Sequence, residues 1–86
     1  MEKADKKKLW RQTLETIKLT LSIPTFSTWF KNTFIDSISE ERGVLSVEVA
    51  CPSTFTRDTI ETRYFGLVQS SLSSAVGKPV NLGFVI

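Results

Sequence analysis

Histidine is absent from this sequence, and cysteine occurs once, at position 51. Without histidine the chain lacks the side chain that most often moves protons or binds metal near neutral pH. With a single cysteine besides, an ordinary zinc site cannot be assembled. Cys51 also has no partner for an internal disulfide, which suits a reducing compartment. The four glycines, at 43, 66, 77 and 83, match neither a nucleotide-phosphate loop nor a dinucleotide fingerprint. No two of them are three apart, so the G-x-x-G clamp of RNA-binding K-homology modules is missing too. No apolar run approaches the length of a membrane span. The lysines at 6–8 are followed by Arg11, Glu15 and Lys18, which breaks up any apolar core of a signal peptide. The expectation is a cytoplasmic protein with no membrane association.

Charge of one sign is also scarce. Eleven basic residues against nine acidic ones leave a net charge of +2, far from the excess that marks a dedicated nucleic-acid binder. Six of the basic residues (Lys3, Lys6, Lys7, Lys8, Arg11 and Lys18) fall within the first 18 positions, and the plain reading is a solvated helix start. The acids Glu40 and Glu41 fall in a predicted turn without a pocket, which is no setting for a catalytic pair. Nothing points to an enzyme, a cofactor or a metal.

What the sequence does have is apolar bulk. Hydrophobic residues make up 41% of 86 residues, with six Phe and two Trp. That supports one small folded domain over residues 1–86, with 1–4 expected to be disordered.

Patterning gives the elements. Trp10, Leu14, Ile17 and Leu21 recur at helical spacing, predicting a helix over 5–21 with Asp5 as N-cap. Pro24 interrupts it and opens a second helix over 24–31 carrying Phe26, Trp29 and Phe30. Residues 33–39 alternate as an imperfect strand with Phe34, Asp36 and Ile38 on one face. Residues 40–43 form a turn, and 44–51 a cleaner strand, together a hairpin. Ser53 is a good N-cap for one long amphipathic helix reaching Val76, with Gly66 inside it. Gly77 and Pro79 end that helix, and 80–86 form a last strand. The expected fold is α+β in the order α-α-β-β-α-β, a three-stranded sheet with helices packed on it.

Three segments stand out in order: Leu9-Trp10 with Leu14 and Ile17, then 25–30 (Thr-Phe-Ser-Thr-Trp-Phe) after Pro24, then 52–64 (Pro-Ser-Thr-Phe-Thr-Arg-Asp-Thr-Ile-Glu-Thr-Arg-Tyr) after a strand. Together they resemble the N-terminal domain of the bacterial replication initiator DnaA. The resemblance runs from about Leu9 to Val85 and implies a K-homology-like topology. It also implies an interaction module that self-associates, contacts the replicative helicase DnaB and receives adaptor or regulator proteins. By the same resemblance Trp10, with Leu9 beside it, matches a self-association residue, although periodicity alone places Trp10 in the core. Phe55 matches a helicase-contact residue, with packing against the sheet as its other reading. Thr25 stands where some relatives carry an acidic contact residue, so Phe26, Phe55 and Arg57 are left to define that surface. Trp29 and Tyr64 are expected in the core. The rival function is weak binding of single-stranded DNA, with Phe55 beside Arg57, or Trp10 beside Lys7 and Arg11, stacking bases and holding phosphate.

Overall fold

The computed structural model describes the backbone of residues 3–86 and the side chains from residue 5 onward. The disorder expected over 1–4 therefore lies outside the described residues at positions 1 and 2, whereas the backbone of 3 and 4 belongs to the first helix.

Seven elements follow in order: α1 (Lys3–Lys18), α2 (Ile23–Phe30), β1 (Phe34–Glu41), β2 (Val44–Ala50), α3 (Thr54–Arg63), α4 (Phe65–Val76) and β3 (Val80–Val85). The fold is α+β, as expected, with one helix more than the periodicity suggested. Asp5 is not the N-cap of α1 but sits in its first turn, where a carboxylate still faces the positive end of the helix dipole. The face α1 buries is turned slightly from the expected stripe. Leu9, Trp10, Thr13 and Ile17 are buried, while Leu14 and Leu21 are only partly so. Thr13 fits there because its hydroxyl donates to the Leu9 carbonyl at 2.8 Å, which removes the cost of an unpaired buried polar group.

α1 ends at Lys18, and the chain tightens through bonds from Leu19 N to Thr16 O and from Thr20 N to Ile17 O. Ser22 then caps α2, its hydroxyl accepting from Thr25 N at 3.3 Å, and Pro24 stands in the first turn, where no amide donor is needed.

β1 and β2 form an antiparallel hairpin closed by Arg42 and Gly43, both at positive φ (53° and 79°). That is the backbone of a type I′ turn, whose twist matches that of paired strands. Glu40 and Glu41, expected in the turn, belong to β1. β3 pairs in parallel with β2, giving the order β1-β2-β3. The crossover that a parallel pair demands is supplied by α3 and α4.

The pairing of β1 slips at Asp36. This bulge changes which side chains share a face. Ile35 and Ile38, three apart, stand opposite Val49 and Val47 on the inner face, while Phe34 is paired with Ala50 on the outer one. The expected grouping of Phe34 with Ile38 is therefore overturned. Leu45, Val47, Val49, Val80 and Phe84 complete the buried face under the helices. The outer face carries Ser37, Ser39, Ser46, Glu48 and Asn81.

The single long helix expected over 53–76 is broken at Tyr64 (φ −118°, ψ 10°). Tyr64 and Phe65 would point about 100° apart on a straight helix, yet each has an aromatic partner to reach. Tyr64 packs on Phe30 at 5.8 Å and Phe65 on Phe84 at 6.3 Å between ring centroids. Gly66, two residues on, already weakens a continuous helix by about 1 kcal/mol, so the break lies where it is cheapest. Gly77, at φ 70°, closes α4 with its amide on the Ser73 carbonyl.

Candidate functional site

The sequence places Ser53 before a run that starts with a threonine and a large apolar residue. Ser53 takes extended geometry (φ −155°, ψ 163°), and its hydroxyl accepts from Thr56 N at 3.2 Å. The cap fixes the start of α3, and Phe55 falls in the first turn, ahead of the point where the helix meets the core. Its side chain is left 71% exposed. It is not loose, because its ring lies 5.5 Å from that of Trp29 on α2, tilted by 58°. Such a tilted pair adds about 0.5–1.5 kcal/mol beyond area burial, so an apolar platform is held at the surface.

Around this pair a cavity of about 390 Å³ opens between α2 and α3, lined by Trp29, Phe55, Asp58, Thr59, Thr62 and Arg63. The α3 members recur at spacings of three and four and so lie on one face of the helix. A carboxylate and a guanidinium thus flank an aromatic floor.

Not all the residues expected at this surface are brought together. Arg57 follows Phe55 by two positions, about 200° around the helix, and does not line the cavity. Its guanidinium pairs with Asp58 at 3.2 Å instead. Phe26, about 60° from Trp29 around α2, does not line the cavity; it stacks on Phe30 at 5.8 Å with Lys18 Nζ 5.2 Å from its ring. Thr25 is spent on the helix cap, its hydroxyl accepting from Ser22 Oγ at 2.8 Å. Trp29, expected in the core, is half-buried and forms a wall of the site. Sequence reasoning also passed over Asp58, Thr59, Thr62 and Arg63. The signal was present, since counting helical spacing forward from Phe55 reaches all four.

Leu9 and Trp10 are in the core, 6% and 4% exposed. The Trp10 indole Nε1–H donates to the Thr33 carbonyl at 3.1 Å and to Thr33 Oγ1 at 3.2 Å. Both side chains are buried among core residues, so neither is presented at the surface as an exposed contact group. For the same reason the Trp10 ring cannot stack a base, and Phe55 and Arg57 diverge on α3, which removes both pairings of the nucleic-acid reading.

Cys51, at the end of β2, is a buried free thiol. Burial raises its pKa; Arg57 nearby lowers it and Glu61 raises it further. No three metal-ligating side chains gather among the described residues, and no described helix is long and apolar enough to cross a membrane.

The family model described as the DnaA N-terminal domain matches residues 7–74 of the 86. The chain belongs to the DnaA N-terminal domain family. That family is the N-terminal domain of a replication initiator, a protein-interaction domain and not a catalytic one. The matched span runs from the first helix into α4 and includes the whole Phe55–Trp29 site of this DnaA N-terminal domain.

Proposed function

We propose that this domain is the recruitment module of a replication initiator, taking the replicative helicase DnaB and regulatory adaptors on the face built by Phe55 and Trp29. The observation that carries the reading is an exposed phenylalanine fixed against a tryptophan and bordered by Asp58 and Arg63. Aromatic anchors with charged rims are the typical centres of protein interfaces.

A face this small gives weak single contacts. Many initiator chains side by side on an origin would present it at high effective concentration, and a ring-shaped helicase would meet several copies together. Avidity then strengthens binding by about 10²–10⁴-fold without new chemistry. Self-association of neighbouring copies belongs to the same scheme, with Leu9 and Trp10 holding α1 in place rather than touching the partner. The domain works in the cytoplasm, where replication is initiated. The test is capture of purified DnaB by the immobilised full chain. Phe55→Ala abolishes capture while the melting curve stays close to wild type; equal capture by both refutes the assignment.

A further inference from the structure

The charges around the Phe55 platform are not balanced. Asp58 Oδ1 already accepts from Arg57 through both Nε and Nη2, each at 3.2 Å. Arg57 and Glu61, one turn apart, share a face of α3, and both act on the Cys51 thiol. Arg63 is different. It lines the cavity, is exposed and forms no ion pair among the described residues. Glu61, the acid nearest to it in sequence, lies about 200° away around the helix. The rim of the platform thus presents one uncompensated positive charge.

The floor beside that charge makes little polar demand. Phe55 and Trp29 supply two rings, and the Thr59 hydroxyl is taken up by the Phe55 carbonyl at 2.9 Å. Phe55 and Arg63 are eight residues apart, about 12 Å along the helix axis.

The walls narrow the shape of the occupant. The cavity is lined from α2 and α3 alone, and inside a helix the backbone groups are bonded to one another. An extended peptide laid there finds no strand edge for its amides, whereas a helix arrives with its backbone satisfied. A groove with apolar residues between two helices suits an amphipathic helix.

We infer that the partner segment seated here is an amphipathic helix whose large apolar anchor packs on Phe55 and Trp29 and whose Asp or Glu, about two turns away, pairs with Arg63. The inference rests on the helicase reading above and adds to it the chemistry of the DnaB segment that binds. Arg63 is the residue that selects among apolar helices, because one with Lys or Arg at that place meets like charge.

The test measures DnaB affinity for the immobilised full chain by surface plasmon resonance at low and moderate salt. Arg63→Glu lowers affinity at least about tenfold, while Arg63→Lys, which keeps the charge, retains most of it. Wild-type binding weakens with salt more steeply than that of Arg63→Gln. Lys8→Glu, a reversal at an exposed position on α1, leaves affinity unchanged, and melting curves confirm the fold of each variant. Replacing the acidic residues of DnaB by Lys, one at a time, finds one that restores capture by Arg63→Glu. That residue lies about two turns from an apolar one whose alanine variant loses binding.

The inference is overturned if Arg63→Glu binds like wild type while Phe55→Ala does not; the helicase reading then stands without it. It is overturned too if Lys8→Glu costs as much as Arg63→Glu, or if no charge swap on DnaB restores binding. Equal binding by wild type and Phe55→Ala removes the helicase reading, and the inference with it. If Arg63→Glu instead dissociates a dimer of the free chain in sedimentation and leaves DnaB capture intact, a second copy is the occupant and the assignment is wrong.

Discussion

Trp10 offers the sharpest separation between a core residue and a contact residue. Its indole N–H serves two acceptors on Thr33, and the Thr33 hydroxyl in turn donates to the Phe30 carbonyl at 2.7 Å. The chain thus ties α1 to the segment between α2 and β1. Trp10→Phe keeps most of the ring volume but leaves a buried carbonyl without its donor, a loss of about 1–3 kcal/mol. Trp10→Ala adds a cavity and costs about 3–5 kcal/mol. A domain of 86 residues holds about 4–13 kcal/mol in total, so the alanine variant spends a large part of it. Urea unfolding followed by far-UV circular dichroism measures both. Thr33→Val, alone and combined with Trp10→Phe, completes a cycle in which the double variant loses less than the sum by at least about 0.5 kcal/mol. Any loss of self-association in Trp10→Ala then tracks the unfolded fraction. A midpoint unmoved by Trp10→Ala, with self-association lost, refutes the core assignment and returns Trp10 to the surface.

Two further perturbations follow from local geometry. Arg42 occupies positive φ in the hairpin turn, a conformation that disfavours a residue with a long side chain, so Arg42→Asn raises stability by about 0.5–1 kcal/mol, read from thermal unfolding. Cys51 keeps its proton in the folded state beyond the ordinary thiol range because burial raises its pKa. The folded form then binds more protons than the unfolded one, so stability is full below pH about 8.5 and falls as pH rises above it. Cys51→Ala flattens that decline, and iodoacetamide labels the native thiol far more slowly than the urea-unfolded one.

Much of the fold can be read along the chain, and the failures have local causes. Ser22 and Ser53 act as caps, Gly43 and Gly77 take the left-handed backbone, and Pro24 and Pro79 mark element boundaries. Periodicity fails where the backbone leaves its period. The bulge at Asp36 puts Ile35 and Ile38 on one face although they are an odd number apart. Alternation cannot register an inserted residue before the pairing is known. The break at Tyr64 is set by two ring partners, Phe30 and Phe84, that are distant in sequence. Thr13 reads as polar, yet it is buried because its hydroxyl turns back to the Leu9 carbonyl.

The site was half legible for a similar reason. Phe55 stands out as a large ring in the first turn of a helix, but its neighbours depend on how α2 meets α3. Sequence proximity suggested Arg57, whereas helical geometry selects Asp58, Thr59, Thr62 and Arg63. Phe26 and Trp29 sit three apart on α2 and look equivalent in the sequence. Only the packing sends the first toward Lys18 and the second toward Phe55.

The proposed helicase contact lies on the Phe55–Trp29 platform. Nitrogen-15 chemical shifts of the full chain titrated with DnaB address it directly. Shifts or broadening are expected to concentrate at Phe55, Trp29, Asp58 and Thr62, to be absent from the α1–β1 face, and to be lost in Phe55→Ala. Perturbation centred anywhere else, or persisting undiminished in Phe55→Ala, contradicts it.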